Sequence, residues 1–440
     1  MSDFKNVLII GGGESGLGAA LLAREKGCNV LISDGGKLSD QNRKELINNK
    51  IPFEEKGHTI DNLEKFDLII KSPGVPGKIA LLKKADDIGI SVWSEIEFGF
   101  HFCDAKIIGI TGSNGKTTTT ALVYQLLNHA GIKTAVGGNY GTSFCRLLLD
   151  EENPEWIVLE LSSFQLEDIE KFRPQIAVLL NITADHLDRY NYDIYQYAQA
   201  KFNITKNQIN NDLFIFNGDD LITTEMLDKI KVEAKALRIN KSDYENGIYS
   251  KEMDVNFDIK LFGKHNLFNA YCAISIARHL GISDSTIGLG LKLFKNNPHR
   301  LEKVVSINER IFINDSKATN VDAVYYALEG IASRIVWIAG GTDKGNDYSQ
   351  LVNLAKEKVK ALICLGKDNR KLKEAFQNYV DQISETQDVR EAVNLAYNFA
   401  GQGEVILLSP ACASFDLFNN YEDRGEQFKE AVWDLVDKLK

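Results

Sequence analysis

Residues 109–120, GITGSNGKTTTT, constrain this chain more than any other stretch. A short β-branched run, AKIIGI (105–110), feeds into them, and TTTTALVYQLLNHAG reads as a helix with apolar residues at helical spacing, ended by Gly131. Strand, glycine loop and helix in that order suit phosphate, because the loop N–H groups and the helix N-terminus point at an anion. The usual form places Gly, four residues, then Gly-Lys-Ser/Thr. Here Ile110 stands at the first position and Gly112 comes later, so the loop is entered differently. Lys116 would reach the outer phosphates and Thr117 would offer its hydroxyl to magnesium. The plain alternative is a glycine turn with a solvated lysine, and the flanking strand and helix argue against it.

At 440 residues the chain has length for two or three domains. Three blocks emerge, each opening on a strand and a turn. In the first, NVLII (6–10) and NVLIS (29–33) flank a helical GLGAALLAREKG, a unit of a parallel sheet. FDLIIKSPGVPG (66–77) adds a strand ending in a Ser-Pro-Gly turn, and the block closes near SEIEFGF (94–100). The second block holds the glycine loop, EWIVLELS (155–162) and PQIAVLLNIT (174–183), near-continuous apolar runs suited to central strands covered on both faces. A later helix reads at 262–281, and KNNPHRLE reads as a linker. In the third block RIFINDSKATN, RIVWIAGGTDKG, KALICLGKD and EVILLSPACASFD are four strand candidates, three of them ending in polar turns. Ligands gather at the carboxyl ends of parallel strands, so these turns mark a ligand edge.

Composition removes several partners. A formal net charge of −10 argues against nucleic acid and anionic membrane, so an anionic substrate has to be met by local Lys, Arg and backbone N–H groups. No apolar stretch has the length to span a bilayer. The six cysteines show no C-x-x-C pairing, which fits a reduced cytosolic chain, and Cys412 and the rest read as small buried residues. The start, MSDFKNVLIIGGG, lacks the pattern of a signal peptide.

A phosphate loop works with a carboxylate at the end of a neighbouring strand. Glu160, closing WIVLE, fits, although a Glu in that place is also commonly a solvated terminus. TGSNGKTT, ELSSFQLE, NITADHLDRY, GKHNLFN, NPHR, NDSKATN and LSPACASFD occur in the order seen in the Mur ligase family, and the chain resembles that family over its whole length. The resemblance implies an α/β chain of three domains. These are a Rossmann-like UDP-substrate domain over 1–95, a central P-loop ATP-binding parallel sheet over 96–298, and a Rossmann-like amino-acid domain over 299–440. It also implies ATP-driven amide formation through an acyl phosphate, and within the family the addition of D-glutamate to UDP-N-acetylmuramoyl-L-alanine, a peptidoglycan precursor.

Residue by residue, the resemblance makes Gly112, Ser113, Asn114, Gly115, Lys116, Thr117 and Thr118 the ATP loop. Asn266 and Asn269, one helical turn apart, would read adenine, the plain alternative being a polar helix face. Arg300 would meet phosphates and Asp315 the ribose, with the ATP site closing between the second and third blocks. Thr117, Glu160, His186 and Lys201 become the Mg2+ groups, and Lys116, Glu160, His186 and Lys201 the catalytic set. Unaided, His186 reads as a structural hydrogen-bonding group, though it follows a buried strand at the edge that carries the loop. Lys201, in YAQAKFNI, reads on composition as part of a solvated helix face; the resemblance implies instead that CO2 carbamylates it, reversing its charge. D-glutamate falls to His186, Lys317, Thr319, Lys344, Ser414, Phe415 and Tyr421, the last standing where relatives often carry Phe.

GGGESG (11–16) matches G-x-G-x-x-G after a strand, and Asp34 ends the next strand at the spacing of an acidic ribose contact. Alone, that pattern says nicotinamide dinucleotide, but the same turn serves any diphosphate. The resemblance makes it the UDP site. Glu14, Ser15 and Gly16 would lie near diphosphate or uracil, Asp34, Ser72, Pro73 and Gly74 would hold uridine, and Asn139 would touch the sugar-linked part. Gly35-Gly36 follows Asp34 where some relatives carry polar or basic side chains, so uridine binding is expected to lean on backbone. Two readings of other classes stand beside this one. A dehydrogenase leaves the 109–120 loop, Glu160 and Lys344 without a task. A P-loop regulatory ATPase leaves the polar strand ends of the third block unexplained. Other amino-acid ligases of the family are the nearer alternative. The chain is expected to be a cytoplasmic monomer acting on small molecules, with no nucleic-acid or membrane partner.

Overall fold

Each block's apolar runs become one sheet in the computed structural model, which describes residues 4–59, 62–151, 153–259, 264–294 and 298–439. The first sheet has five parallel strands in the order Phe53–Glu54, Asn29–Ser33, Asn6–Ile10, Leu68–Lys71, Val92–Ser94. The strand Asn6–Ile10 runs into the glycine turn and the helix Glu14–Glu25. A Cβ added at Gly16 would lie 1.9 Å from the carbonyl oxygen of Gly11, so only glycine lets this helix sit so close to its strand.

The central sheet has six strands, all parallel: Lys235–Ile239, Leu213–Asn217, Ile176–Leu179, Lys106–Thr111, Trp156–Glu160, Thr134–Gly138. The strand before the phosphate loop is therefore interior, flanked by the strands that end at Leu179 and Glu160. Its helix, Lys116–His129, buries Leu122, Val123, Leu126 and Leu127 on one face. Full burial of such side chains contributes roughly 1.5–3 kcal/mol each, which holds the loop's far end rigid.

Two short helices fasten the first sheet to the second. In Glu95–His101, Ile96 enters the central core while Phe98 enters the first. In Phe144–Asp150, Phe144 and Leu147 face the central core and Cys145 the first. The stretch SEIEFGF, near which the first block was expected to close, is thus a helix shared by both cores.

The third sheet differs from the expectation of four parallel strands. It has six, in the order Glu302–Ile307, Arg310–Asn314, Val405–Leu408, Ile335–Ala339, Val359–Leu365, Gln382–Thr386. The four expected strands form its centre. The first pair is an antiparallel hairpin and the other pairings are parallel, so the sheet is mixed. The two extra strands lie at the edges, where half-exposed residues blur the apolar pattern that betrays a central strand. KNNPHRLE also departs from its reading as a linker. Residues 295–297 lie outside the described residues, but His299 and Leu301 are buried, with the His299 ring 2.9 Å from the Asn314 amide.

By contacts the chain divides into two compact units, Met1–Phe257 with Asn269–Leu291, and Asp258–Phe268 with Lys292–Lys440. Among the described residues no helix is long and apolar enough to cross a membrane.

Candidate active site

The phosphate loop is laced to the segment that follows the neighbouring strand. Ser113 donates its N–H to the Asn181 carbonyl and its hydroxyl to the Thr183 carbonyl, at 2.9 and 3.0 Å. Asn114 donates its N–H to the Asn181 side-chain oxygen at 2.8 Å. Gly115, at φ +85°, turns the chain into the helix, and a Cβ there would meet the Asn269 side-chain oxygen at 2.6 Å. Asn266 and Asn269 are both buried on the helix Lys264–His279, as their spacing predicts.

Two lysine side-chain nitrogens converge on one carbonyl oxygen. Lys116 Nζ lies 2.8 Å from the Gly112 carbonyl and Lys201 Nζ lies 2.9 Å from it. Lys201 is only 1 % exposed, on the inner face of the helix Ile194–Phe202 and over the Tyr197 ring, which corrects the solvated-face reading. Helix composition is blind to this, because the loop carbonyl that receives the lysine is remote in sequence, while the neighbouring buried side chains of the helix enter the central core. Burial first, then repulsion from Lys116, holds the Lys201 amine well below the ordinary lysine range.

Glu160 ends its strand facing this loop, buried, and its Oε1 accepts a hydrogen bond from the Asn139 amide at 2.8 Å. Asn139 also donates its backbone N–H to the Glu160 carbonyl at 2.8 Å, so the two residues are fixed together. Thr117 and Thr118 are buried in the first turn of the helix. His186 stands at the head of the turn Leu187–Tyr190 with φ +52°, its side chain 46 % exposed and its ring 5.2 Å from that of Phe164. Arg189 ties this turn to the first sheet. It donates to the Pro73 carbonyl and to Glu167, both at 2.7 Å, and stacks on Phe164. Lys71 completes the cluster with a 2.6 Å ion pair to Asp168.

Hydroxyl, carboxylate and imidazole are donors compatible with magnesium. Among the described residues no preassembled group of three or more His, Cys, Asp or Glu forms a metal cage. That combination fits magnesium carried chiefly by substrate phosphates and water, with a few separate protein groups completing its shell.

A cavity of about 640 Å³ opens at the carboxyl ends of the first sheet. It is lined by Glu14, Ser15, Asp34, His58, the Ser72–Pro73–Gly74 turn and, from the central sheet, Asn139. Gly16 lies beneath it, packed on the Gly11 carbonyl. Several of the expected contacts already hold the walls together. Glu14 accepts from Ser143 and Arg146. Asp34 accepts from the N–H of Gly12 at 2.6 Å and of Gly36 at 2.7 Å, bridging the two glycine loops, and Ser72 donates to the Gly11 carbonyl.

In the second unit the strand ends carry the remaining candidates. Asp315 is buried, accepting from the Leu301 N–H and the Ser409 hydroxyl. Burial pushes its carboxyl up to about 7, against the pull of those hydrogen bonds and of half-buried Arg300. Lys317 lies over the Tyr421 ring, and Thr319 follows on the same turn. The loop bearing exposed Lys344 is zipped to the loop bearing buried Ser414 and exposed Phe415 by two backbone hydrogen bonds between Thr342 and Ala413.

Arg424 was not among the sequence candidates. It is buried, and its guanidinium donates to the carbonyls of Ser316, Gly340 and Cys412 and to the Ser316 hydroxyl, pinning three strand-end loops. Burial lowers its ionisation to about 10. The signal was present: Arg424, Phe428, Ala431, Val432 and Leu435 share one helical stripe, and a cation on an apolar stripe needs buried acceptors. His58 and Arg189 escaped for want of such a pattern.

Three sheets, one carrying a glycine loop with paired lysines at the end of an interior parallel strand, define a multidomain α/β protein of the phosphate-loop class. Family models match the chain in sequence order: a MurD N-terminal domain over 6–79, a Mur ligase middle domain over 110–277, and a Mur ligase glutamate ligase domain over 299–412. The chain belongs to the Mur ligase family, ATP-dependent enzymes that form amide bonds. It is 48% identical to a UDP-N-acetylmuramoylalanine–D-glutamate ligase of Christiangramia forsetii, covering 98% of this chain and all of that one. It is 44% identical to the enzyme of that name from Bacteroides fragilis, with the same coverage. Among solved structures it is similar to a Thermotoga maritima UDP-N-acetylmuramate-alanine ligase, at TM-score 0.62 and 19% identity over 98% of this chain and 99% of that one. A MurF ligase of the same organism in complex with ADP gives TM-score 0.62 at 16% identity, covering 99% and 96%. These two likenesses speak to the fold.

Proposed function

We propose that this chain joins D-glutamate to UDP-N-acetylmuramoyl-L-alanine, consuming ATP, as a cytoplasmic monomer in peptidoglycan precursor synthesis. The observation that carries the reading is the convergence of Lys116 and Lys201 on the Gly112 carbonyl, beside a cavity whose wall residue Asn139 is bonded to Glu160. One wall group thus joins the diphosphate-type pocket to the phosphate loop. The full-length likeness to enzymes named for this reaction supports the substrate choice. A dehydrogenase or a regulatory ATPase has no use for both features together. The division at residues 95 and 298 belongs to the same proposal.

In the mechanism, a substrate carboxylate oxygen attacks the γ-phosphorus of ATP, ADP leaves, and an acyl phosphate remains. The amine of D-glutamate adds to the acyl carbon, the tetrahedral intermediate collapses, and phosphate and a proton depart. Lys116 neutralises charge on the transferring phosphoryl group, which is the main catalytic demand of such chemistry. Thr117, Glu160 and His186 would hold Mg2+, which screens the phosphate oxygens when bound. Lys201, whose amine burial holds well below the ordinary lysine range, attacks CO2 through the lone pair of its neutral form and releases a proton, becoming an anionic carbamate beside the loop. Asn266 and Asn269 face adenine, while Arg300 and Asp315 serve the phosphates and ribose. Lys317, Thr319, Lys344 and Ser414 receive the D-glutamate carboxylates, with Phe415, Tyr421 and His186 beside them. Glu14, Ser15, Gly16, Asp34, the Ser72–Pro73–Gly74 turn and Asn139 surround the UDP substrate.

Phosphate release from ATP with UDP-N-acetylmuramoyl-L-alanine, compared across D-glutamate, L-glutamate, L-alanine and a diamino acid, tests the proposal. Release with D-glutamate alone is expected. Release independent of the amino acid, or with another of the four, would overturn it.

A further inference from the structure

The glycines after Asp34 leave the far end of the cavity without a side chain from that turn, and a ring from the loop after the edge strand takes the place. His58, following the edge strand Phe53–Glu54, lines the cavity next to Gly35 and Gly36. A Cβ added at Gly35 would come within 3.5 Å of its Nε2, so that nitrogen faces the glycine turn. The opposite nitrogen, Nδ1, lies 2.6 Å from the Ser33 hydroxyl.

The proton positions follow from the partners. Ser33 donates its one hydroxyl proton to Glu54 Oε1 at 2.5 Å, and Thr59 donates hydroxyl and N–H to the same carboxylate. Although burial acts against the charged form, the hydroxyl bonds from Ser33 and Thr59 hold Glu54 below its ordinary range, so it is an anion that only accepts. Ser33 Oγ can then only accept from the ring, which places the imidazole proton on Nδ1. A neutral ring so fixed leaves Nε2 as a lone-pair acceptor. Several other polar side chains of the cavity also hold its walls together: Asp34 accepts from two backbone N–H groups, Ser72 donates to the Gly11 carbonyl, and Asn139 donates to Glu160.

We infer that His58 reads the base of the UDP substrate, its Nε2 accepting a hydrogen bond from the uracil N3–H. The inference rests on the proposed function, since it presumes a uridine nucleotide in this cavity. It adds the edge-strand loop to base recognition, where the sequence reading named Asp34 and the Ser72–Pro73–Gly74 turn and expected binding to lean on backbone. A ring nitrogen that accepts selects a base carrying N–H at that position and rejects cytosine, whose N3 is itself an acceptor. It also rejects N3-methyluracil, which has no proton to give.

The test is a titration of the whole chain with UDP, CDP and N3-methyl-UDP, by calorimetry, for wild type, H58A and H58Q. Wild type is expected to bind UDP about tenfold or more tighter than either analogue, the size of effect expected when a polar group loses its partner. H58A should lose that preference by weakening UDP binding about tenfold while leaving the analogues within twofold. H58Q, whose side-chain oxygen also accepts, should regain part of it. A merely structural role would weaken all three ligands alike, and that outcome, or an unchanged preference in H58A, overturns the inference while leaving the proposed function standing. Failure of wild type to bind UDP at all would overturn both.

Discussion

The side-chain nitrogens of Lys116 and Lys201 share a carbonyl oxygen but differ in surroundings, and the difference separates their variants. Lys116 is half-buried on the loop itself, whereas Lys201 is sealed behind it. Lys116→Ala should abolish turnover, a loss of at least about 10^3 in kcat, with no recovery on adding small acids. Lys201→Ala should lose activity to a similar degree and regain part of it with short carboxylates such as acetate or formate, which can stand where a carbamate would. Steady-state rates with and without added carboxylate check both; full activity of Lys201→Ala would reject the carbamate. Lys344, exposed on its turn, should behave otherwise, with Lys344→Ala raising the KM for D-glutamate about tenfold and altering the KM for ATP little. The placement of Lys116 at the loop–helix junction and of Glu160 at a strand end was legible because each lies beside its own strand in the sequence. The burial of Lys201 was not, because nothing local to its helix tells that a loop 89 residues earlier covers it.

Among the elements, the two short helices between the first and second sheets hold an ionisable group in an unusual state. Glu95 is fully buried; its Oε1 accepts the Cys145 N–H at 2.5 Å and its Oε2 has no hydrogen-bond partner. Burial, against that N–H bond and aided by Glu14, pushes its carboxyl up to about 7. Between about pH 4.5 and pH 7 the unfolded chain ionises this group while the folded chain does not. Its contribution to stability is therefore present below pH 4.5 and is lost as pH rises to 7. Glu95→Gln removes the titration. It should be more stable than wild type at pH 8, by on the order of 3 kcal/mol at most, with the gap closing toward pH 4.5. Urea unfolding of both proteins across this range measures it, and a gap independent of pH would refute the assignment. The helix Tyr421–Leu439 offers a second case. Arg424→Ala would strip a donor from three strand-end carbonyls at once, costing roughly 3–5 kcal/mol, and Arg424→Lys would recover little because an ammonium cannot span the fork.

Two compact units with separate cores should unfold in more than one transition. Scanning calorimetry should give a calorimetric enthalpy exceeding the van't Hoff value, and equality of the two would contradict independent units. An ATP analogue with magnesium should shift the part of the profile that contains the phosphate loop, and Lys116→Ala should remove that shift. The sequence by itself determined the three sheets' central strands, the phosphate loop with its carboxylate, and the family, because buried parallel strands are continuous apolar runs and motif chemistry is contiguous. It did not determine the mixed edge of the third sheet, the inward face of Lys201, the pinning by Arg424 or the place of His58. Those depend on which distant segments fold against each residue, and whether a charge is sealed or solvated is decided by the neighbours that tertiary packing brings, not by the residues adjoining it in the chain.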